Sequence, residues 1–246
     1  MSKILEDEVK NAVLHYSNLL SYLGDLGESK ILFEKSINYH KVIADSLVFT
    51  ENSGLIGIEI KTKSDNLKRL EHQLDSYTLA CNYTFVFCHD SHLNQVIELL
   101  DKNHYDYVGI ISYDEFNGKV IAGLVREAKI SPRFSLKVMA SLLWKKELYS
   151  VLQMWFGHQD TILANTYKSD NVPYTRSGSV GNLRHNVSYR KLLSIYQHTF
   201  STKQGTKIIC EMYIKNGYNP KKQLQQYHFN NDFNGDISFK TPYKYK

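Results

Sequence analysis

The sequence has few cysteines, no long hydrophobic run and no opening segment with the pattern of a secretory signal, and each of these absences makes some classes of protein less expected. Cysteine accounts for only 3 of the 246 residues, an odd and scattered number that argues against a disulfide framework. No run of about 18 apolar residues occurs, so we expect no membrane-spanning segment. The opening residues, MSKILEDEVK, lack the basic and then apolar layout of a secretory signal. We therefore expect a protein of the reducing cytoplasm.

Motifs of several other function classes are also missing. No Gly-Lys-Ser/Thr phosphate loop occurs, so ATP-driven activity is not expected. No nucleophile-elbow sequence supports a Ser-His-Asp or Cys-His catalyst, although such an arrangement stays open. Cys88, His89 and His92 superficially suggest zinc, but the second ligand pair of a structural site is not evident.

The net charge of +5 hides an asymmetry between the two halves of the chain. Residues 1–129 hold 13 Lys and Arg against 19 Asp and Glu, a net charge of −6. Residues 130–246 hold 17 against 6, a net charge of +11. An acidic half that can hold metal and a basic half that can approach phosphate suit a nucleic-acid-processing protein. A solvated basic region without a partner is the alternative.

Hydrophobic periodicity predicts a mixed α/β unit in the first half of the chain. The predicted elements are a helix over 5–23, a hairpin over 38–61, a helix over 66–81, a strand over 83–88, a helix over 92–102 capped by Asp90 or Ser91, a strand over 107–112 and an extended segment over 119–129. From Pro132 the pattern turns helical. It predicts a long amphipathic segment over 136–152, a loop over 168–186 and helices over 187–201 and 205–217. We expect a mixed central sheet flanked by helices at 1–130, followed by a basic, mainly helical region at 131–246.

The predicted strand 55–61 carries the chemistry. Side chains alternate along a strand, so Glu59 and Lys61 point to one face while Ile58 and Ile60 point into a core. A carboxylate and an ammonium side by side can bind a hard cation and orient a water molecule. A structural salt bridge on a sheet face is the competing interpretation.

Asp45 lies on the preceding predicted strand. A hairpin that brings Asp45 beside Glu59 creates a pair of oxygen ligands, which favours Mg²⁺ or Mn²⁺. On the next helix, polar residues spaced three and four apart form a stripe at the edge of the buried face: Asn66, Arg69, Gln73 and Tyr77. The stripe either borders a cleft or is a solvated helix face with one half-buried tyrosine.

Taken together, Asp45, Glu59-Ile60-Lys61 and Gln73-Leu74-Asp75-Ser76-Tyr77 resemble the PD-(D/E)XK nuclease superfamily with the Gln-x-x-x-Tyr helix of its RecB-like branches. The wider stretch is similar to a nuclease-like family of bacteria and their phages, and the resemblance covers roughly residues 5–152. Ile43-Ala44 precedes Asp45 where the superfamily's name implies a proline.

The resemblance implies a restriction-endonuclease-like core and a role for each matching residue. Asp45 and Glu59 would ligate the metal with the backbone carbonyl of Ile60, and Lys61 would serve the attacking water. Glu8 is the best match to an acidic residue that many members add from the first helix. Gln73 and Tyr77 would complete the catalytic set at the border of the site.

Outside these positions, Arg69 and Arg126 are the candidate nucleic-acid contacts, and Arg126 alternatively forms an internal ion pair. Trp144 is expected in the core. We expect a Mg²⁺- or Mn²⁺-dependent nuclease acting on DNA, by default an endonuclease, with no membrane partner and with homodimerisation possible. The rival interpretation is a catalytically silent nucleic-acid-binding or interaction protein on a nuclease fold.

Overall fold

A computed structural model of the chain describes Leu20 and residues 22–117, 119–158, 174–177, 179–183 and 187–216. The chain divides into two compact units, Met1–Leu142 and Leu143–Lys246. This division falls 12 residues after the boundary expected at 130. The first unit holds every described residue of the predicted catalytic set, and the second holds the C-terminal helices.

The first unit is built on a six-stranded sheet whose strands follow one another in chain order. The strands are β1 (Ser29–Ile37), β2 (Val42–Thr50), β3 (Gly54–Lys61), β4 (Tyr83–His89), β5 (Gly109–Phe116) and β6 (Lys119–Arg126). The pairs β1–β2, β2–β3 and β5–β6 are antiparallel, whereas β3–β4 and β4–β5 are parallel. The expected α/β class with a mixed central sheet is therefore confirmed.

Helices connect the parallel strands, because a parallel pair needs a crossover connection. Helix α1 (Leu70–Ala80) joins β3 to β4, and a 3-10 turn (Asp90–His92) with helix α2 (Leu93–Lys102) joins β4 to β5. A short helix, α3 (Leu136–Ala140), closes the unit. The expected cap of α2 by Asp90 or Ser91 was wrong, because both residues lie in the 3-10 turn and the helix begins after His92 without a side-chain cap hydrogen bond.

The two faces of β3 differ as the alternation predicts. Ile56, Ile58 and Ile60 pack into an apolar cluster on one face of the sheet. Gly57 lies on the other face directly beneath α1, where a Cβ would lie 2.5 Å from Cδ1 of Tyr77 and 2.7 Å from Sγ of Cys81. The missing side chain lets α1 approach β3 closely, which places Gln73 and Tyr77 beside Lys61 and Glu59, whereas Asn66 and Arg69 of the predicted stripe precede the helix.

The hairpin expected over 38–61 is confirmed as β2 and β3, and a turn at residues 38–41 joins it to the preceding strand β1. Two other expectations are corrected at the boundary of this unit. The long amphipathic segment expected over 136–152 is two helices, because the helical conformation is interrupted between Ala140 and Lys145. Trp144 lies in this break and is 56% exposed, so its expected place in the core was wrong.

The second unit contains helix α4 (Lys145–His158), a hairpin of β7 (Tyr174–Ser177) and β8 (Ser179–Leu183), and helices α5 (Tyr189–Thr199) and α6 (Thr202–Asn216). The two last helices confirm the helical expectation, whereas the hairpin occupies part of the stretch expected to be a loop. Among the described residues, no helix combines the length and apolar character needed to cross a membrane. The three cysteines are buried and unpaired with one another.

Candidate active site

The candidate site lies where β2 and β3 separate. Their ladder runs from Thr50↔Gly54 to Ser46↔Ile58. Asp45 is the next residue on β2, and the register brings it opposite Glu59. From this point other groups satisfy the backbone donors of both strands, so the sheet opens into a fork.

Tyr77 and Asp45 hold the fork open. The backbone N–H of Asp45 donates to the hydroxyl of Tyr77 at 2.8 Å, and the N–H of Ile60 donates to Oδ2 of Asp45 at 2.8 Å. The N–H and C=O of a strand residue point to the same edge, so the carbonyl of Ile60 is also directed toward the gap. Tyr77 is fully buried, which fixes the position of its hydroxyl.

Glu59, Lys61 and Gln73 form a hydrogen-bonded chain beside the fork. Nζ of Lys61 donates to Oε1 of Glu59 and, at 3.0 Å, to Oε1 of Gln73 on α1. Glu59 is fully buried and Lys61 is 7% exposed. A buried ion pair with this second partner is positioned far more tightly than a pair on a solvated sheet face.

The environment of Glu59 favours its neutral form. Burial and the nearby negative charge of Asp45 raise the pKa of Glu59 to about 7, although Lys61 acts in the opposite direction. Oε2 of Glu59 is buried and makes no hydrogen bond of normal geometry with a described residue. The hydroxyl of Tyr77 lies near two acceptors. The carbonyl oxygen of Ile58 is 3.4 Å from the hydroxyl oxygen, and the carboxyl group of Glu59 is close enough that Tyr77 and Glu59 each affect the pKa of the other.

The donor set fits a cation that keeps several of its waters. Asp45 and Glu59 supply carboxylate oxygens, and the Ile60 carbonyl faces the same gap. Mg²⁺ is typically bound by one or two carboxylates and completes its octahedron with water or substrate oxygens. Within the described ranges, no three His, Cys, Asp or Glu side chains come together to hold a metal. Glu8, the expected additional ligand, lies outside the described residues.

The two candidate arginines lie at different places. Arg69 is exposed immediately before α1, and its carbonyl accepts the N–H of Gln73, so it lies at the Lys61 end of the helix. Arg126 lies on β6, three strands from β3, or about 14 Å at the usual strand spacing. Its Nη2 donates to Oδ1 of Asp101 at 2.8 Å, which is the internal ion pair that the sequence left open.

Several positioning contacts have no sequence signal. Nε2 of His92 lies 3.1 Å from the carbonyl of Thr62, the residue after Lys61, and so ties the end of β3 to the start of α2. Nδ2 of Asn38 donates to Oγ of Ser76 at 3.1 Å in a buried contact beside Tyr77. These partners are 30 and 38 residues apart in the chain. Ser76 occupies an unspecified position of the Gln-x-x-x-Tyr pattern, so the motif does not predict its contact.

Comparison with known proteins places the chain in a family. The family model of bacteriophage P4 protein cII matches residues 1–191. This chain belongs to the phage P4 cII family. The match includes both strands of the fork, α1 and the whole first unit, so the candidate site lies inside the part of the chain that the cII family defines.

Individual relatives are distant. Protein cII of Enterobacteria phage P4 is 25% identical over 156 residues, which are 63% of this chain and 56% of that protein. The match thus spans little more than half the length of the curated relative. A solved protein of unknown function from Silicibacter pomeroyi matches with a TM-score of 0.37 and 13% identity over 54% of this chain and 79% of that one, too weak a likeness to support an argument. None of these descriptions names a reaction or a ligand.

Proposed function

We propose that this protein is a divalent-metal-dependent nuclease of the PD-(D/E)XK type that hydrolyses DNA phosphodiester bonds, by default as an endonuclease. The observation that carries the proposal is the convergence of Asp45, Glu59 and Lys61 at a strand fork, with Gln73 and Tyr77 of one helix bound to them. These five residues lie on three separate elements. The fold nevertheless brings them into two adjacent hydrogen-bonded groups, one of Asp45 with Tyr77 and one of Lys61 with Glu59 and Gln73.

Asp45, Glu59 and the carbonyl of Ile60 would hold Mg²⁺ or Mn²⁺, with Glu8 as a further candidate. The cation would polarise a phosphoryl oxygen and acidify a bound water molecule. The protein supplies two carboxyl groups on facing strands, and the N–H of Ile60 fixes the position of one of them. Burial and, after it, the charge of Asp45 raise the pKa of Glu59, so a bound cation would favour the ionised form of this carboxyl group.

Lys61 has the geometry of a group that orients the attacking water. An ammonium has three N–H donors, and two of those of Lys61 are directed to Glu59 and Gln73. Among the described residues the third donor has no acceptor, so it could bind a water molecule or a phosphoryl oxygen. Because Gln73 and Glu59 hold Nζ from two sides, the charge is fixed before substrate binds, and a fixed charge stabilises a transition state without the cost of reorganisation.

The substrate class is supported by charge outside the fork. Three exposed cations follow Lys61 in the loop that leads to α1: Lys63, Lys68 and Arg69. They lie where a phosphate backbone would approach the site, and electrostatic contacts of this kind supply most non-specific affinity for nucleic acid. We expect the protein to act in the cytoplasm, in a bacterial or phage setting consistent with its family, and homodimerisation remains part of the proposal.

The decisive experiment is cleavage of supercoiled plasmid and of single-stranded DNA with Mg²⁺ or Mn²⁺, compared with EDTA. We expect cutting only with metal, and we expect Lys61→Ala to abolish it. Lys129→Ala is the matched control, because Lys129 is an exposed lysine on the same unit whose nearest carboxylate is 3.7 Å away. Cutting that persists in EDTA or in Lys61→Ala would remove the basis of the proposal.

A catalytically silent nucleic-acid-binding protein is the second candidate, and one observation favours it. Only two carboxylates meet at the fork within the described part of the chain, and one of them is already paired with Lys61. Salt-dependent DNA binding by the wild-type protein and by Lys61→Ala, without cutting by either, would support this candidate. Neither binding nor cutting would exclude both.

A further inference from the structure

The turn at residues 38–41 has an unusual backbone. Asn38, Tyr39 and His40 have φ values of 48°, 58° and 66°, three successive non-glycine residues in the left-handed region. Asn tolerates this conformation because its short side chain bonds locally, but for Tyr and His it is costly, and Gly would adopt it freely. Strain of this kind persists only where the surrounding structure enforces it, and it concentrates at ligand-binding and active sites.

The surrounding structure does enforce it. Nδ2 of Asn38 donates to Oγ of Ser76 on α1, next to Tyr77, and Asn38 itself is only 6% exposed. The backbone N–H of Tyr39 donates to Oγ of Ser141 at 3.3 Å. The turn is therefore anchored both to the helix that carries the catalytic-set residues and to the end of α3.

The anchored turn presents an aromatic ring, an imidazole and one cation to solvent beside the fork. Tyr39 is 40% exposed, and His40 and Lys41 are exposed. Asp45 lies four residues beyond Lys41 on the strand that begins at Val42, so the two Cα atoms are at most about 13 Å apart. Ile43 lies between them on the same face as Asp45 and is 60% exposed.

We propose that the 38–41 turn is a binding site for single-stranded nucleic acid, with the ring of Tyr39 stacked on an unpaired base and Lys41 bound to a phosphate. The inference rests on the proposed function and names the substrate form of the same site. An exposed aromatic ring can stack on a base only where that base is free of its own neighbours, which is the case in single strands and not within a duplex. The exposed apolar side chain of Ile43 continues this surface toward the carboxylates.

Because residues 1–129 carry a net charge of −6, a nucleic acid needs local cations to approach the fork. The structure provides them on both sides. Lys41 lies on the β2 side, and the exposed cations of the loop after Lys61 lie on the β3 side. A single strand that crosses the fork would meet cations before and after the carboxylates, and its base would meet Tyr39.

The test is fluorescence anisotropy of a short labelled oligodeoxythymidine and of a labelled duplex, in EDTA so that binding is measured without cleavage. Loss of one stacked base corresponds to roughly a 5- to 150-fold weaker Kd. We expect Tyr39→Ala to weaken single-strand binding by about 10-fold, and Tyr39→Phe to stay near wild type because the ring suffices for stacking. Phe116→Ala is the matched control, since Phe116 is a 65% exposed aromatic residue at the end of β5, two strands from β3, and its loss should change nothing.

Tyr39→Gly separates binding from folding. Glycine relieves the strained backbone, so this variant should have a Tm equal to or above that of the wild type and should still lose single-strand affinity. Wild-type affinity in folded Tyr39→Ala and Tyr39→Gly, or an equal loss in Phe116→Ala, would overturn the inference. So would a failure of the wild-type protein to bind the single strand.

The binding result is independent of the cleavage result. A protein that cuts DNA with metal but binds single strands without dependence on Tyr39 would retain the proposed function and lose this inference. A protein that never cuts but binds single strands through Tyr39 would retain this inference and lose the proposed nuclease activity.

Discussion

The hydroxyl of Tyr77 lies 2.8 Å from the backbone nitrogen of Asp45 and accepts its hydrogen bond. A side chain of α1 thus replaces the strand partner that Asp45 would otherwise have on β3. This replacement separates the paired strands β2 and β3 into a fork, and the two carboxyl groups of Asp45 and Glu59 lie in the gap between them. The tyrosine of the Gln-x-x-x-Tyr pattern therefore has a backbone role that its spacing alone does not disclose.

Tyr77→Phe should destabilise the protein and weaken metal binding together. The substitution leaves the N–H of Asp45 without its partner, at a cost of about 1–3 kcal/mol in the free energy of unfolding. The control is Tyr196→Phe, a second fully buried tyrosine whose hydroxyl donates to Gly205 O in the other unit. Urea unfolding with and without Mg²⁺ should show a loss of stability in both variants but a smaller Mg²⁺ effect only in Tyr77→Phe. Equal Mg²⁺ effects in the two variants would contradict the role assigned to Tyr77.

The sequence predicts the strand that carries the site and the direction of its side chains. Alternation along β3 predicts that Glu59 and Lys61 share a face opposite Ile58 and Ile60, and the structure confirms it. The helix over 66–81 is confirmed as Leu70–Ala80. Both predictions depend on local periodicity, which the sequence displays directly.

The contacts that complete the site are long-range, and the sequence does not display them. The buried Asn38–Ser76 bond joins β1–β2 to α1 across 38 residues, and its members are ordinary polar residues. Likewise, Arg133 seemed to begin a separate helical region. It instead belongs to the first unit, where its Nη1 donates to Oδ1 of Asp75 at 2.6 Å. A pairwise contact between distant residues leaves no periodic trace, so the sequence gives no sign of this link.

Gly57→Ala should be disruptive although the change adds one methyl group. The new Cβ would meet the ring of Tyr77 at 2.5 Å and Sγ of Cys81 at 2.7 Å, and both side chains are fully buried. Overpacking of this kind costs about 1–3 kcal/mol, and relief by movement of α1 would displace the Tyr77 hydroxyl. Gly123→Ala on β6 is the control, because nothing lies within 4 Å of its new Cβ. Thermal unfolding that ranks the two variants equally would show that α1 does not pack on β3 as described.

Arg133→Ala should lower stability modestly, and the loss should disappear in acid. Oδ1 of Asp75 accepts from Arg133 and, at 2.8 Å, from the hydroxyl of Tyr105. Although partial burial acts in the opposite direction, these hydrogen bonds and the Arg133 charge hold the pKa of Asp75 below its ordinary value. A depressed carboxyl pKa contributes stability above the unfolded pKa, and this contribution is lost as pH falls through the folded pKa. Both side chains are partly exposed, so we expect about 1 kcal/mol or less at neutral pH.

Lys129→Ala is the matched control for that pair, because Lys129 and Asp106 are exposed and 3.7 Å apart. Urea unfolding near neutral pH should separate the two variants, and unfolding near pH 3 should bring them together. A pH-independent deficit in Arg133→Ala would mean that lost packing of the arginine, rather than the Asp75 pair, sets its contribution.

Glu59 should make the protein less stable as pH rises. Burial raises its pKa to about 7, whereas the ordinary value is 4.5, so between these limits the native state holds a proton that the unfolded state has released. The sign is that of a carboxyl with a raised pKa. Its contribution is fully present below the unfolded value and is lost as pH rises through the folded value. The full shift corresponds to about 3 kcal/mol at most.

A cation that binds the ionised pair should reverse this loss, so Mg²⁺ should stabilise the wild-type protein more at about pH 8 than at about pH 5.5. Metal binding requires deprotonated carboxylates, and the affinity should therefore fall as Glu59 takes up its proton below about pH 7. Glu59→Gln mimics the protonated side chain. As pH rises, the Tm of this variant should approach or exceed that of the wild type. Its Tm should rise little on addition of Mg²⁺ at either pH. Asp106→Asn, which removes an exposed carboxylate, should follow the wild type.

Parallel profiles of Tm against pH for the wild type and Glu59→Gln between about pH 5 and pH 8 would show that Glu59 ionises normally. A Mg²⁺ effect that survives Glu59→Gln at full size would place the cation elsewhere, and the fork would then be a structural device that holds α1 against the sheet.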